Sequence, residues 1–278
     1  MTSRILDAHI HLWDPAARHH DWLEEVPSLR RRFGPEDVDP GRHELIGAVF
    51  VQADCREHEA MDEVRWVEDI GRPFVYGIVA YAPVHRGAAA EPELDALADV
   101  PLVVGVRRLL QGSPVEAVLE RRLAEGVRLL AERELTFDLC VSHDQLQATA
   151  QLAEACPETS FVLDHLGKPS VAAARLDPWR KDIARLAALP NVTCKLSGLA
   201  TEAAAGWTAA DVRPYLEHAL EVFGPARCMI GSDWPVLTLA GTMESWFDAV
   251  LDVVDRLPQD DRRAVLRETA SAVYGIDP

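Results

Sequence analysis

Short apolar runs recur along the chain at roughly 4–12, 46–53, 74–82, 102–108, 136–142, 160–166, 191–197 and 227–232, and this pattern predicts eight β-strands. Between them lie segments rich in Ala, Leu, Glu and Arg at about 57–71, 114–133, 144–156, 174–189, 208–223, 242–257 and 259–274, where the spacing of apolar residues predicts helices. Several helix starts are chemically marked. Ser113-Pro114 supplies a cap followed by Pro in the first turn, and Pro258-Gln259-Asp260-Asp261 places acids at the positive end of the last helix. Ala88-Ala89-Ala90 reads as another helix start. Strand and helix alternate throughout, which implies parallel strands with right-handed crossovers, and closing eight of them gives a (β/α)8 TIM barrel of the α/β class. The competing arrangement, an open doubly wound sheet, lacks support: no Gly-X-Gly-X-X-Gly turn follows the first strand and no Walker loop occurs, so no nucleotide cofactor is expected.

The first connection departs from this rhythm. It runs from Trp13 to about Leu45 and carries Trp22, Pro27, Pro35 and Pro40 among charged residues; a loop of this length is usually functional or disordered. Trp13, Trp22, Leu23, Val26, Leu29 and Phe33 give it enough apolar surface to pack. Residues 13–45 are therefore read as a flap over the barrel mouth, with packing against the outside of the barrel as the alternative. Residues 1–278 are read as one domain, a size at which a barrel remains undivided.

Composition narrows the partners. The 45 acidic and 28 basic residues give a formal charge of −17, which argues against nucleic acid and against anionic membrane surfaces. No apolar stretch is long enough for a membrane span, and none at the start resembles a signal segment, so a cytoplasmic location is expected. The five cysteines, at 55, 140, 156, 194 and 228, form no CxxC pair and suit reduced core thiols. Homo-oligomerisation stays open.

In a barrel of this kind the reacting groups sit at the carboxyl ends of strands. His9 and His11 are two apart in a strand-like run and point to the same side. Cys228-Met229-Ile230-Gly231-Ser232-Asp233 ends in a carboxylate, and the first and last strands of a closed barrel are neighbours. In Phe161-Val162-Leu163-Asp164-His165, strand alternation is taken to put His165 at the mouth in register with inward Phe161 and Leu163, while Asp164 faces the helix layer. Three histidines and an aspartate converging there could hold one divalent ion, and zinc suits a His/Asp mixture best. A second metal is not expected, because the fourth strand end offers Arg107 and Arg108 rather than a bridging ligand.

Five stretches together, Asp7-Ala8-His9-Ile10-His11-Leu12-Trp13, Gly105-Val106-Arg107, Asp164-His165-Leu166-Gly167-Lys168-Pro169, Lys195-Leu196-Ser197-Gly198-Leu199 and Gly231-Ser232-Asp233-Trp234-Pro235, resemble the lactone-hydrolase branch of the amidohydrolase superfamily. The resemblance implies an amidohydrolase-type barrel that opens the cyclic ester of a sugar acid or related small acid. It carries the family's ligand positions onto His9, His11, His165 and Asp233. Members of the branch use one divalent ion or none, so the resemblance leaves the cofactor open. Two departures are visible: Arg108 stands where many relatives have a histidine, which bears on the substrate, and Glu268-Thr269-Ala270 stands where Gly-Asn-Ala is common, which bears on packing.

These readings make Asp233 a general base for an attacking water, with His165 beside it, and give the three histidines either to zinc or directly to the developing oxyanion. Arg107 is expected to bind a substrate carboxylate or hydroxyl through its planar fork. Gln52, Gln111, His143 and Lys195 are expected to meet sugar hydroxyls, and Trp13, Trp22 and Trp234 to offer an apolar platform. Two other functions fit the same residues: a superfamily decarboxylase of a small unsaturated or aromatic acid, and a non-catalytic barrel that binds a sugar acid.

Overall fold

Apolar on both faces, as strands of a fully covered parallel sheet must be, eight short segments form the centre of the computed structural model, which describes residues 3–278. They are β1 (Arg4–Ile10), β2 (Glu44–Val51), β3 (Val75–Tyr81), β4 (Val103–Leu109), β5 (Thr136–Cys140), β6 (Phe161–Leu163), β7 (Val192–Leu196) and β8 (Cys228–Ile230). Neighbours in sequence are neighbours in the sheet, and all seven pairings are parallel. Backbone bonds beyond the last strand close the circle: Asp233 N–H donates to His9 O at 2.8 Å and His11 N–H to Trp234 O at 2.7 Å. The eight predicted strands of the TIM barrel are all present.

Helices α1 (Ala60–Gly71) and α2 (Glu91–Ala98) follow β2 and β3, α3 (Val115–Val118) and α4 (Arg121–Ala131) follow β4, and α5 (Leu146–Ala155) follows β5. Then come α6 (Trp179–Ala187) after β6, α7 (Leu199–Glu202) and α8 (Ala209–Phe223) after β7, and α9 (Met243–Val254), α10 (Gln259–Arg263) and α11 (Thr269–Tyr274) after β8. The alanine run at 88–90 leads into α2, a helix whose body the apolar period does not mark because only Leu94 and Leu97 are buried in it. The segment expected as one helix over 114–133 breaks between Val118 and Arg121.

Two apolar clusters separate the faces of the strands. Ile10, Phe50, Ile78, Val106, Phe137, Phe161, Leu163 and Ile230 pack with helix residues such as Val64, Leu94, Val127 and Ile183. Leu6, Ala8, Val49, Val51, Val79, Val162 and Met229 fill the barrel interior, where Ala270 and Tyr274 of α11 join them. Phe161 and Leu163 thus face the helices and Val162 faces inward, the reverse of the expected alternation in β6. Both faces of this strand are apolar, so composition carries no sign of which is which.

The connection between β1 and β2 is ordered by its own apolar side chains. Trp13, Leu23, Leu29 and Phe33 are buried, each contributing roughly 1.5–3 kcal/mol relative to exposure. Trp13 and Phe33 exchange backbone bonds of 3.1 and 2.9 Å, and the Trp13 indole donates to Leu29 O and Arg31 O. Further along, the Trp22 indole donates to Ala53 O at 2.9 Å, tying the connection to the carboxyl end of β2.

Candidate active site

The site begins at the seam between the first and last strands. The Asp7 carboxylate is buried and its Oδ1 accepts the N–H groups of His9 (3.0 Å) and Ser232 (2.8 Å), so one side chain holds both halves of the seam. Burial pushes this carboxyl up to about 6 against those hydrogen bonds. Gly231 is required where it stands: a Cβ there would lie 2.9 Å from His9 Cβ. After β8 the chain turns through a left-handed Asp233 (φ 63°), and this turn, rather than continued strand alternation, aims the carboxylate at the histidines.

Three atoms able to ligate a metal converge there. His9 Nε2 and His11 Nε2 are 3.2 Å apart, and Asp233 Oδ1 lies 3.6 Å from the first and 3.3 Å from the second. The His11 ring proton is committed elsewhere, since His11 Nδ1 lies 2.7 Å from Val51 O, a carbonyl that can only accept. His9 Nδ1 lies between Asp164 Oδ1 at 3.2 Å and the Lys195 ammonium at 3.3 Å. A neutral His11 in this tautomer turns its Nε2 lone pair toward the Asp233 carboxylate. Those two lone pairs face one another without a proton and repel, and a cation relieves the repulsion. Ligands about 2.0–2.1 Å from a tetrahedral zinc sit about 3.3 Å apart, which matches the observed triangle. The bond from His11 to Val51 and the contacts of His9 Nδ1 with Asp164 and Lys195 are the supports that orient histidine ligands. The residues present therefore fit one divalent ion.

His165 completes the group, with Nε2 3.8 Å from Asp233 Oδ1 and Nδ1 2.9 Å from Ser197 Oγ. Its position comes from a turn over Asp164–Gly167 in which His165 and Leu166 adopt φ values of 53° and 54°. The ring packs so closely on Gly198 (φ 68°) that a Cβ there would lie 2.4 Å from Nδ1. Burial lowers the His165 imidazole to about 4 despite the nearby Asp233 and Asp164, and burial also lowers His9. Burial acts to raise the Asp233 carboxyl, but the imidazoles of His165, His11 and His9 outweigh it and hold the group well below the usual carboxylate range.

Asp164 corrects the expectation that it faces the helix layer. It shares the inward face of Val162, and its carboxylate lies within the barrel, 3.0 Å from Lys195 Nζ, 3.2 Å from His9 Nδ1 and 3.3 Å from Arg107 Nη1. Beneath it, Lys195 Nζ approaches Asp138 Oδ2 at 2.5 Å, and Asp138 also accepts from Tyr274 Oη (2.8 Å) and Thr136 Oγ1 (3.0 Å). Lys195 is fully buried within this network, so it supports His9 and Asp164 from below and is out of reach of sugar hydroxyls.

Above the histidines opens a cavity of 290 Å³, lined by His11, Trp22, Ala53, Asp54, Arg107, Leu109, Gln111, Cys140, His165, Lys168, Asp233 and Val236. A larger groove of 660 Å³ between α1 and α2 holds none of these groups. Of the residues singled out from sequence, His11, Trp22, Arg107, Gln111, His165 and Asp233 meet in this wall, with His9 buried directly beneath. His143 lies in an adjoining cavity, its Nε2 bonded to Ser170 Oγ at 2.8 Å. Gln52, Trp13 and Trp234 are buried behind the wall. Gln52 binds the Asp54 N–H (2.6 Å) through its side chain and Arg107 Nη2 (2.6 Å) through its carbonyl, and Trp13 and Trp234 both pack edge-on against Phe33.

A family model described as amidohydrolase matches residues 6–276. The chain belongs to the amidohydrolase family. This amidohydrolase is 32% identical to L-fucono-1,5-lactonase of Burkholderia ambifaria, over 100% of its own length and 97% of the relative's. It is 23% identical to L-rhamnono-gamma-lactonase of Scheffersomyces stipitis over 98% of this chain and 99% of that protein. Among solved structures, an amidohydrolase from Burkholderia multivorans with bound zinc superimposes with a TM-score of 0.87 at 30% identity, covering 99% of this chain and 100% of that one.

Asp54, Leu109, Cys140, Lys168 and Val236 line the amidohydrolase cavity without having been singled out from sequence. Lys168 was legible as the residue after the His165 turn. It adopts φ 48° and pairs with Glu202 at 3.4 Å. Asp54, also left-handed at φ 57°, follows the end of β2 and carries no local signal beyond that position.

Proposed function

We propose that this amidohydrolase opens the lactone ring of a sugar acid or related small acid by water attack on the ring carbonyl. The observation that carries the reading is the convergence of His9 Nε2, His11 Nε2 and Asp233 Oδ1, with His165 beside them, at the floor of a cavity sized for a small molecule. Family and lactonase relatives support it. Asp233 is the general base. Its carboxylate takes a proton from water as the oxygen bonds to the carbonyl carbon, then returns it to the ring oxygen as the carbon–oxygen bond breaks, giving a hydroxy acid.

Arg107 and His165 place positive and hydrogen-bonding character near the developing oxyanion. A divalent ion held by His9, His11 and Asp233, for which zinc suits the donor set best, would add Lewis acidity toward the carbonyl when bound. The connection over 13–45 serves as a lid, with Trp22 in the cavity wall as its working surface. Gln111, also in the cavity wall, meets substrate hydroxyls. Five free cysteines, four of them buried, suit a reducing cytoplasm.

The deciding experiment is a panel of aldonolactones assayed by proton release, before and after chelation and with elemental analysis of the purified protein. Release of a proton without carbon dioxide supports lactone hydrolysis; carbon dioxide release identifies a decarboxylase, and binding without turnover identifies a sugar-acid-binding barrel. Loss of activity on chelation, restored by zinc, supports the ion, whereas undiminished activity assigns the histidines to direct hydrogen bonding.

A further inference from the structure

We propose that the cavity is built for uncharged, polyhydroxylated lactones and turns away lactones bearing a second carboxylate, with Asp54 as the residue that makes the distinction. The inference rests on the lactonase reading and narrows its substrate. Four formally charged side chains line the cavity: Asp54, Arg107, Lys168 and Asp233.

Both cations are already engaged. Arg107 turns its fork inward, with Nη2 on Gln52 O at 2.6 Å and Nη1 on Asp164 Oδ2 at 3.3 Å, and its Nε is buried without a partner. No open edge remains for bidentate capture of a substrate carboxylate. Lys168 is neutralised by Glu202 at 3.4 Å. Asp233 is enclosed among the three histidines.

Asp54 differs from all of these. It is exposed in the cavity wall, and no Lys, Arg or His among the described residues stands within ion-pair distance of its carboxylate. Its left-handed backbone (φ 57°) is pinned by the 2.6 Å bond from its N–H to Gln52 Oε1. The same Gln52 therefore turns the guanidinium inward through its carbonyl and sets the carboxylate at the wall through its side chain. A free carboxylate accepts charge-assisted hydrogen bonds from substrate hydroxyls and repels a substrate carboxylate. At a partly solvated rim, one like charge a few ångströms away is worth a factor of about ten to a hundred and weakens with salt. Charge at the histidine floor acts on the reacting carbonyl of both lactone types alike, so the rim decides between them.

The test uses matched pairs in which a ring substituent is CH₂OH or carboxylate: gluconolactone and glucarolactone, galactonolactone and galactarolactone, mannonolactone and mannarolactone. For the pair whose neutral member is turned over, wild-type kcat/KM should favour that member by about a hundredfold, and Asp54→Asn should narrow the ratio by about tenfold. Asn tolerates the left-handed backbone, so the fold is retained. Without any variant, raising ionic strength from about 0.01 to 0.5 M should shrink the wild-type preference several-fold. Equal kcat/KM for both members of a pair, or an unchanged ratio in Asp54→Asn, overturns the assignment while leaving lactone hydrolysis intact. Failure of every lactone, neutral and charged, overturns the lactonase reading and this inference with it.

Discussion

Two layers of polar side chains sit one above the other inside the barrel. In the lower layer, Lys195, Asp138, Asp164, Thr136 and Tyr274 form a network in which donors meet acceptors at 2.5–3.0 Å and cationic and anionic groups alternate. In the upper layer, His9 Nε2, His11 Nε2 and Asp233 Oδ1 converge to 3.2–3.6 Å of one another. Both layers are buried, yet only in the lower does a cation stand between the carboxylates, Lys195 between Asp138 and Asp164. Unmet polar capacity in the upper layer is what makes it a site, and the paired layer underneath holds it in place. His9 belongs to both, its Nδ1 against Asp164 and its Nε2 in the mouth.

Asp233→Asn should produce the largest effect, a loss of turnover of about 10³-fold or more on the best lactone, with the thermal midpoint little changed. Parallel kinetics and thermal melts check it. A large loss of stability with little loss of turnover would erase the contrast between the layers.

Lys195→Met should act the other way round. It leaves the Asp138 carboxylate buried without a cation and Asp164 with Arg107 alone, and breaking such a network costs about 3–5 kcal/mol, measured as a drop in unfolding free energy in urea. An unchanged urea midpoint would mean that the lower layer is not the structural one.

The pH response sharpens the contrast further. In the metal-free protein His165 stays neutral down to about 4, whereas in the unfolded chain it titrates at 6.5. Between those values the unfolded state binds more protons, so this group's contribution to stability is lost as pH falls from 6.5 through 4. Asp7, raised to about 6 by burial, works in the opposite sense over part of the window. The difference between wild type and His165→Gln isolates the histidine: the variant should lose less stability between pH 7 and 5 in urea titrations.

Trp22→Phe should have the smallest effect. It removes the bond to Ala53 O while keeping an aromatic wall, so KM should rise a few-fold, in line with a hydrogen bond worth about 0.5–1.5 kcal/mol, and kcat should hold. A fall in kcat with unchanged KM would place Trp22 in the chemistry instead of the lid.

Much of this architecture was legible before any coordinates. Buried parallel strands are continuous apolar runs, so all eight could be read from the chain, and His9-Ile10-His11 and Asp233 stood out as polar residues at strand ends. His165 was reached by an inverted alternation: Phe161 and Leu163 face the helices, Asp164 faces inward, and the histidine arrives through left-handed residues that strand parity does not describe. The same limit explains Asp54 and Lys168, both in left-handed turns beyond a strand end. Lys195 and Gln52 illustrate another: a polar residue at a strand end can serve substrate or scaffold, and only its partners tell which.

The order of strands, the closing of first against last and the His9–His11 pair follow from periodicity and residue type, which are local properties of the chain. Which polar groups are paired, which lone pairs confront one another and which carboxylate is left free at the rim depend on distances between segments far apart in the chain, 225 residues in the case of Asp7 and Ser232. Such distances exist only once the barrel has closed, and they divide one interior into a scaffold and a reactive mouth.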